Sequence, residues 1–138
     1  MKKATCIFLV DDNQTTTFIH ERLISQLGIT EELIIAPNGK IALEILQQRQ
    51  DAGKSCPELI LLDLNMPVMD GIQFFQAFQQ FEPEVQAATK IVVLTSSFAY
   101  RDVQRAQEAG IQHFINKPLT MEKLEHVWPE QIRESLHE

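Results

Sequence analysis

Leu59, Ile60, Leu61 and Leu62 run without a polar interruption into Asp63, and the chain then turns through Asn65, Met66, Pro67, Asp70 and Gly71. An apolar run this short, closed by turn residues, is the pattern of a strand buried on both faces. Such a strand needs covering layers on either side, and it delivers Asp63 to the carboxyl edge of its sheet. In open α/β sheets that edge is where ligands bind, because strand ends there meet loops and helix N-termini.

The same pattern recurs along the chain. Cys6-Ile7-Phe8-Leu9-Val10 is an apolar run closed by Asp11-Asp12; Leu33 to Ala36, Ile91 to Thr95 and Gln112 to Asn116 supply three further strands. Between them lie helical patterns. Ile19, Leu23 and Leu27 repeat at steps of four, with Phe18 and Ile24 widening the stripe and Gly28 placed to cap it. Asn38 can cap a second helix through about Arg49, with Ile41, Ala42, Ile45 and Leu46 as its buried face. A third opens near Gly71, and its phenylalanines, Phe74, Phe75, Phe78 and Phe81, read as core packing; Pro83 ends it or starts a short turn.

Ser96 or Ser97 can cap a helix running to about Ala109, where Val103, Ala106 and Ala109 make a thin apolar face and Gly110 closes it. Thr120 caps the last helix, with Leu119 and Leu124 at the positions of a hydrophobic staple. Leu124, Trp128, Ile132 and Leu136 continue that stripe, but Pro129 interrupts it and predicts a kink or break. Five strands alternating with five helices predict a flavodoxin-like α/β three-layer sandwich, with a parallel sheet in the order 2-1-3-4-5 and helices on both faces. That order puts the Asp11-Asp12 end beside Asp63.

Three carboxylates at one sheet edge repel unless a cation or proton intervenes, since like charges ~4 Å apart cost ~4 kcal/mol at an effective dielectric of 20. The donors are all oxygens, which selects a hard cation, and few protein ligands suit Mg²⁺. Thr95 and Lys117, at neighbouring strand ends, offer a hydroxyl and an ammonium to the oxygens of a phosphoryl group. A carboxylate nucleophile with a metal, a lysine and a hydroxyl points to phosphoryl transfer.

Asp11-Asp12, the run from Leu61 to Pro67 with Asp70-Gly71, Val93-Leu94-Thr95-Ser96 and Asn116-Lys117-Pro118 together resemble the receiver domain of bacterial two-component response regulators, in its stand-alone, chemotaxis-type form. The resemblance implies that Asp63 accepts a phosphoryl group from a phosphohistidine on a sensor histidine kinase or a histidine phosphotransfer protein, with Mg²⁺ required. It further implies that Asp12 ligates Mg²⁺ directly and Asp11 mainly through water, while Asp63 gives a side-chain oxygen and Asn65 its backbone carbonyl. Thr95 would hydrogen-bond the phosphoryl group, Lys117 would pair with it, and the Lys117–Pro118 peptide would be cis, aiming the lysine inward. Phe114 stands where the family often has a switching tyrosine, so the ring is kept and the hydroxyl is lost.

At 138 residues and 44% hydrophobic, the chain is expected to be one domain over residues 1–138, with no output domain, acting by docking on a separate effector or in a relay. A net charge of −7, with no basic cluster larger than Lys2-Lys3, excludes a nucleic-acid surface. No stretch has transmembrane length, so no membrane insertion and a cytoplasmic location are expected. Cys6 and Cys56 read as free thiols, and His20, His113, His126 and His137 are scattered, with His20 expected at the surface. A haloacid-dehalogenase-type phosphatase is the enzyme alternative, but its second acid normally stands where this chain has Asn65, and no cap domain fits. The expectation is therefore no enzymatic activity beyond the domain's own phosphorylation and dephosphorylation. Phe98, Tyr100 and Trp128 are candidate partner contacts, with core packing an equal reading of Trp128.

Overall fold

The computed structural model describes residues 3–66, 69–95 and 100–129. Five strands, β1 (Ala4–Val10), β2 (Thr30–Ala36), β3 (Leu59–Asp63), β4 (Lys90–Thr95) and β5 (Phe114–Asn116), form one sheet in the order β2-β1-β3-β4-β5. Every pairing is parallel, with Phe8 opposite Ile60, Ile60 opposite Ile91, and Val93 opposite Phe114. Six helices surround it: α1 (Gln14–Leu27), α2 (Gly39–Asp51), α3 (Gly71–Phe78), α4 (Pro83–Ala88), α5 (Tyr100–Glu108) and α6 (Met121–Val127).

Strand alternation divides the core in two. Phe8, Val10, Ile60, Leu62, Ile91 and Val93 face one way and pack with Ala42 and Leu46 of α2, Phe74 and Phe78 of α3, and Ala106 of α5. Ile7, Leu9, Leu59, Leu61, Val92 and Leu94 face the other way and pack with Ile24 of α1 and Leu124 and Val127 of α6. Both faces of the central strands are therefore dry, as their uninterrupted apolar composition requires.

The helix ends follow local chemistry. Asn38 and Thr120 accept from the backbone N–H groups of Ile41 and Lys123, as N-caps do. Asp70 and Gln73 form a reciprocal capping box at the start of α3. Leu119 and Leu124 are buried in the same cluster, as a staple requires. The break predicted at Pro129 falls one residue earlier: α6 ends at Val127, and Trp128 is extended (φ −58°, ψ 135°) because a residue before proline is pushed out of the helical region.

Where the structure differs from the sequence reading, the causes are physical. Among the described residues there are six helices, not five, because Pro83 takes the first position of a short helix, where its missing N–H is no loss, and Val85 anchors it. β2 begins at Thr30, ahead of the apolar run, because an edge strand can carry polar residues: Glu32 is held by a paired hydrogen bond to the Arg49 guanidinium (3.1 and 3.2 Å). On α1 the buried residues are His20 (3% exposed) and Ile24, whereas Phe18 (57%) and Ile19 (55%) face solvent. His20 is thus not a surface residue. Of the two readings of Trp128, core packing holds and the partner contact does not: it is wholly buried with the α6 cluster.

The caps expected at Ser96 and Ser97, the contact at Phe98, the turn at Pro67, His137 and the stripe through Ile132 and Leu136 lie outside the described residues. Among the described residues no helix is long and apolar enough to cross a membrane.

Gly71 joins the fold to the site. A Cβ there would stand 2.8 Å from the Asp63 carbonyl oxygen and 3.0 Å from the Leu64 Cα, both backbone atoms that cannot step aside. Gly71→Ala is expected to lower stability by about 2 kcal/mol, within the range for overpacking. Denaturant unfolding checks it, and an unchanged midpoint would show that the turn yields at no cost.

Candidate functional site

The register places the site. Val10 pairs with Leu62, so the next residues, Asp11 and Asp63, leave adjacent strands side by side. Carboxylate oxygens of Asp11, Asp12 and Asp63 lie within 4.8 Å of one another. Asp11 and Asp63 are buried and Asp12 is exposed, so the cluster opens to solvent on one side.

Lys117 reaches this cluster from the residue position directly after β5. Its Nζ lies 3.1 Å from Asp11 Oδ2 and 3.7 Å from Asp63 Oδ1, and its backbone N–H donates to the Thr95 carbonyl at 2.9 Å. The Lys117–Pro118 peptide bond is cis. Lys123 of α6 braces this loop, its ammonium donating to the carbonyls of Asn116 (2.8 Å) and Pro118 (3.0 Å). Thr95 is buried at the end of β4, opposite Asn116. Phe114 is half-buried against the α2–α3–α5 core and stands beside Val93, two residues back from Thr95 on the same strand face.

Among the described residues a single lysine, paired with Asp11 and Asp63, stands against a cluster of three carboxylates, and the electrostatics show it. Burial pushes the Asp63 carboxyl up from 3.8 to about 6; the Lys117 ammonium opposes this, Asp11 adds to it, and the Asn65 backbone N–H and the Asp12 charge act more weakly in opposite senses. Protonation or a cation relieves the excess charge, and oxygen-only donors with solvent on one side fit a hard divalent ion.

The structure brings Asp11, Asp12, Asp63 and Lys117 into one cluster, with Thr95 and Asn65 at its rim and Phe114 set back from it. Two residues escaped the sequence reading. Asn13 caps α1 by accepting from Thr16 N–H, and its own N–H donates to Asp11 Oδ1 at 2.9 Å, holding that carboxylate in place; a capping residue directly ahead of the helix was the available signal. His20 lies close enough to feel both Lys117 and Asp11, although burial is the main cause that holds its imidazole below the usual value. Its step of four from Ile24 was the only hint.

Comparison with known proteins agrees with this geometry. The family model described as the response regulator receiver domain matches residues 7–128. A probable methanogenesis regulatory protein, FilR2 of Methanothrix harundinacea, is 33% identical over 128 residues, covering 93% of this chain and 81% of that protein. A two-component response regulator from Cytophaga hutchinsonii superposes with a TM-score of 0.82 at 25% identity, over 99% of this chain and all of the other. The Mn²⁺-bound form of response regulator Rcp1 does so at 0.72 with 29% identity, over 93% and 96%. With its acid pair and Asp63 at adjoining strand ends and Lys117 closing over them, the chain belongs to the response regulator receiver domain family, the phosphorylation-switched modules of two-component systems.

Proposed function

We propose that Asp63 is the phosphoryl acceptor and that it takes the group from a phosphohistidine on a sensor histidine kinase or a histidine phosphotransfer protein. The observation that carries this reading is the position of Asp63: at a strand end, buried, and within 3.7 Å of the Lys117 ammonium. In the transfer an Asp63 oxygen forms a bond to phosphorus as the phosphorus–nitrogen bond to the donor imidazole breaks. Lys117 stabilises charge on the phosphoryl oxygens, and the Thr95 hydroxyl donates to one of them.

A Mg²⁺ ion would be held by Asp12 directly, by Asp63, by the Asn65 carbonyl and by Asp11 through water, and would neutralise the phosphoryl oxygens. Support comes from the three converging carboxylates, from Asp11 being already engaged by Asn13 and Lys117, and from the Mn²⁺-bound Rcp1 structure. The exposed Phe18 of α1, with the Arg22 guanidinium 5.7 Å above its ring, lines the same surface hollow as Asp11 and Asp12 and suits a donor surface that must bring its histidine over Asp63.

Acetyl phosphate with Mg²⁺, followed by intact-mass measurement, tests the reading. A lasting adduct of one phosphoryl group supports it. Phosphate release with no adduct at any time points to a phosphatase, and no reaction at all points to a receiver that binds partners unphosphorylated.

The output surface is proposed on α5, β5 and α6. Only Ala106 of α5 is fully buried, so that helix is lightly held, and Tyr100 at its start is 78% exposed. Phosphorylation draws Thr95 toward the phosphoryl group, and the Phe114 ring fills the space vacated. Phe114→Tyr adds a hydroxyl that must find a partner, so the ring is expected to turn outward in the resting state, changing partner affinity several-fold while leaving phosphorylation intact. Backbone amide shifts with and without beryllofluoride check this; changes confined to α1 would rule out the surface.

A further inference from the structure

β5 is only Phe114–Asn116, and the bond from the Lys117 N–H to the Thr95 carbonyl (2.9 Å) closes its pairing with β4. The Lys117 ammonium nevertheless stands 3.1 Å from Asp11 and 3.7 Å from Asp63, at the ends of strands two and three places away in the sheet. A flexible four-carbon stem reaching that far is only as well aimed as the backbone that carries it. Pro118, the next residue, has no N–H with which to tether the loop.

Lys123 supplies a tether. Its ammonium donates to the Asn116 carbonyl at 2.8 Å and to the Pro118 carbonyl at 3.0 Å, one residue before Lys117 and one after it. Its own backbone is fixed as well, since its N–H donates to the Thr120 hydroxyl that caps α6 (3.2 Å). Local helix chemistry does not favour a lysine there. Lys123 is the third residue of α6, where a capping box places Glu or Gln and where the positive end of a helix disfavours a cation. α3 follows that rule, with Gln73 closing its box on Asp70. An ammonium cannot accept from the cap, and here it turns its donors back onto the loop. We infer that Lys123 is a positioning residue for phosphoryl transfer: by holding the carbonyls on either side of Lys117, it fixes the backbone from which that lysine reaches Asp63. The inference rests on the reading of Asp63 as acceptor and adds to it a residue that acts through Lys117.

Lys123→Met keeps the apolar stem and removes the donors, whereas Lys123→Arg keeps donors. Phosphoryl uptake from acetyl phosphate at saturating Mg²⁺, followed by intact mass, is expected to slow about tenfold in Lys123→Met, since small misplacements of a positioned group cost on this scale. Lys123→Arg is expected to recover most of the rate, and both variants to keep the wild-type Mg²⁺ affinity, because no proposed metal ligand lies on this loop. A second measurement needs no acceptor: trace labelling with acetic anhydride, read at Lys117 by peptide mass spectrometry. The Lys117 side chain is 15% exposed, and it is expected to label several-fold faster in Lys123→Met than in the wild type or Lys123→Arg. A role in helix stability alone would lower the denaturant midpoint and leave Lys117 labelling in the folded protein unchanged. Either readout at its wild-type value in Lys123→Met, a matching loss of Mg²⁺ affinity, or a defect in Lys123→Arg as large as in Lys123→Met overturns the inference. If the wild type itself takes up no phosphoryl group, it is the reading of Asp63 that fails, and the labelling alone decides whether Lys123 holds Lys117. Should Lys123→Met not fold, Lys123→Gln, whose shorter amide cannot span both carbonyls, is measured in the same way.

Discussion

Asp63→Asn is expected to take up no phosphoryl group from acetyl phosphate and Mg²⁺ under conditions that fully convert the wild type. An amide oxygen is a poor nucleophile beside a carboxylate, and no neighbouring acid is placed to replace it. Asp11 Oδ1 accepts from the Asn13 N–H and its Oδ2 pairs with Lys117 at 3.1 Å, while Asp70 is turned into the α3 capping box. Asp12 is the one acid of the cluster on the solvent side, and it does not lie beside the lysine in the way that Asp63 does. Intact-mass measurement of both proteins decides the matter. A normal mass gain in the variant would falsify the assignment and move the acceptor to Asp12 or Asp70.

The second large effect concerns stability. An Asp63 carboxyl raised from 3.8 to about 6 costs about 3 kcal/mol to keep ionised in the native state. The folded form holds this proton more tightly than the unfolded chain does. The contribution is therefore fully present below about pH 3.8, is lost as pH rises through 6, and stays lost at neutral pH. Metal-free Asp63→Asn is thus expected to be more stable than wild type at neutral pH, by up to about 3 kcal/mol, with the difference closing toward pH 4. Asp12→Asn should recover part of the same gain by removing one of the repelling charges. Mg²⁺ at a hundredfold excess over its Kd should stabilise the wild type by about 2.7 kcal/mol, and either variant by less. Denaturant midpoints across pH, with and without Mg²⁺, measure all of this. A wild-type midpoint indifferent to saturating Mg²⁺ would remove the charged cluster as a metal site, and a variant no more stable than wild type would remove the strain.

Much of this site is legible along the chain because its members sit where apolar runs stop. Leu59 to Leu62 can only be a strand buried on both faces, and the first polar residue after such a strand stands at its end; the same holds for Asp11 after Val10 and for Thr95 after Leu94. Parallel crossovers then bring those ends to one edge, as the order β2-β1-β3-β4-β5 shows. Caps at Asn38 and Thr120 and the stop before Pro129 are local as well, since each depends on backbone chemistry within a turn.

Contacts between distant residues follow a different logic. The stripe on α1 has apolar residues on two flanks, so periodicity alone does not choose which flank meets the sheet; packing against Leu9 and Ile115 chose the one with Ile24, carrying His20 inward and leaving Phe18 and Ile19 outside. Lys117 meets Asp11 across 106 positions of sequence, and the upward shift at Asp63 comes from burial and from the Asp11 and Asp12 charges at the neighbouring strand end, against the opposing pull of Lys117, none of which a local pattern encodes. The sequence by itself determined which residues stand at strand ends and hence what chemistry the edge can hold, because alternation and chain reversal are short-range constraints. Tertiary structure alone decided how strongly those groups interact, because desolvation and Coulomb forces depend on distances set by packing of the whole chain.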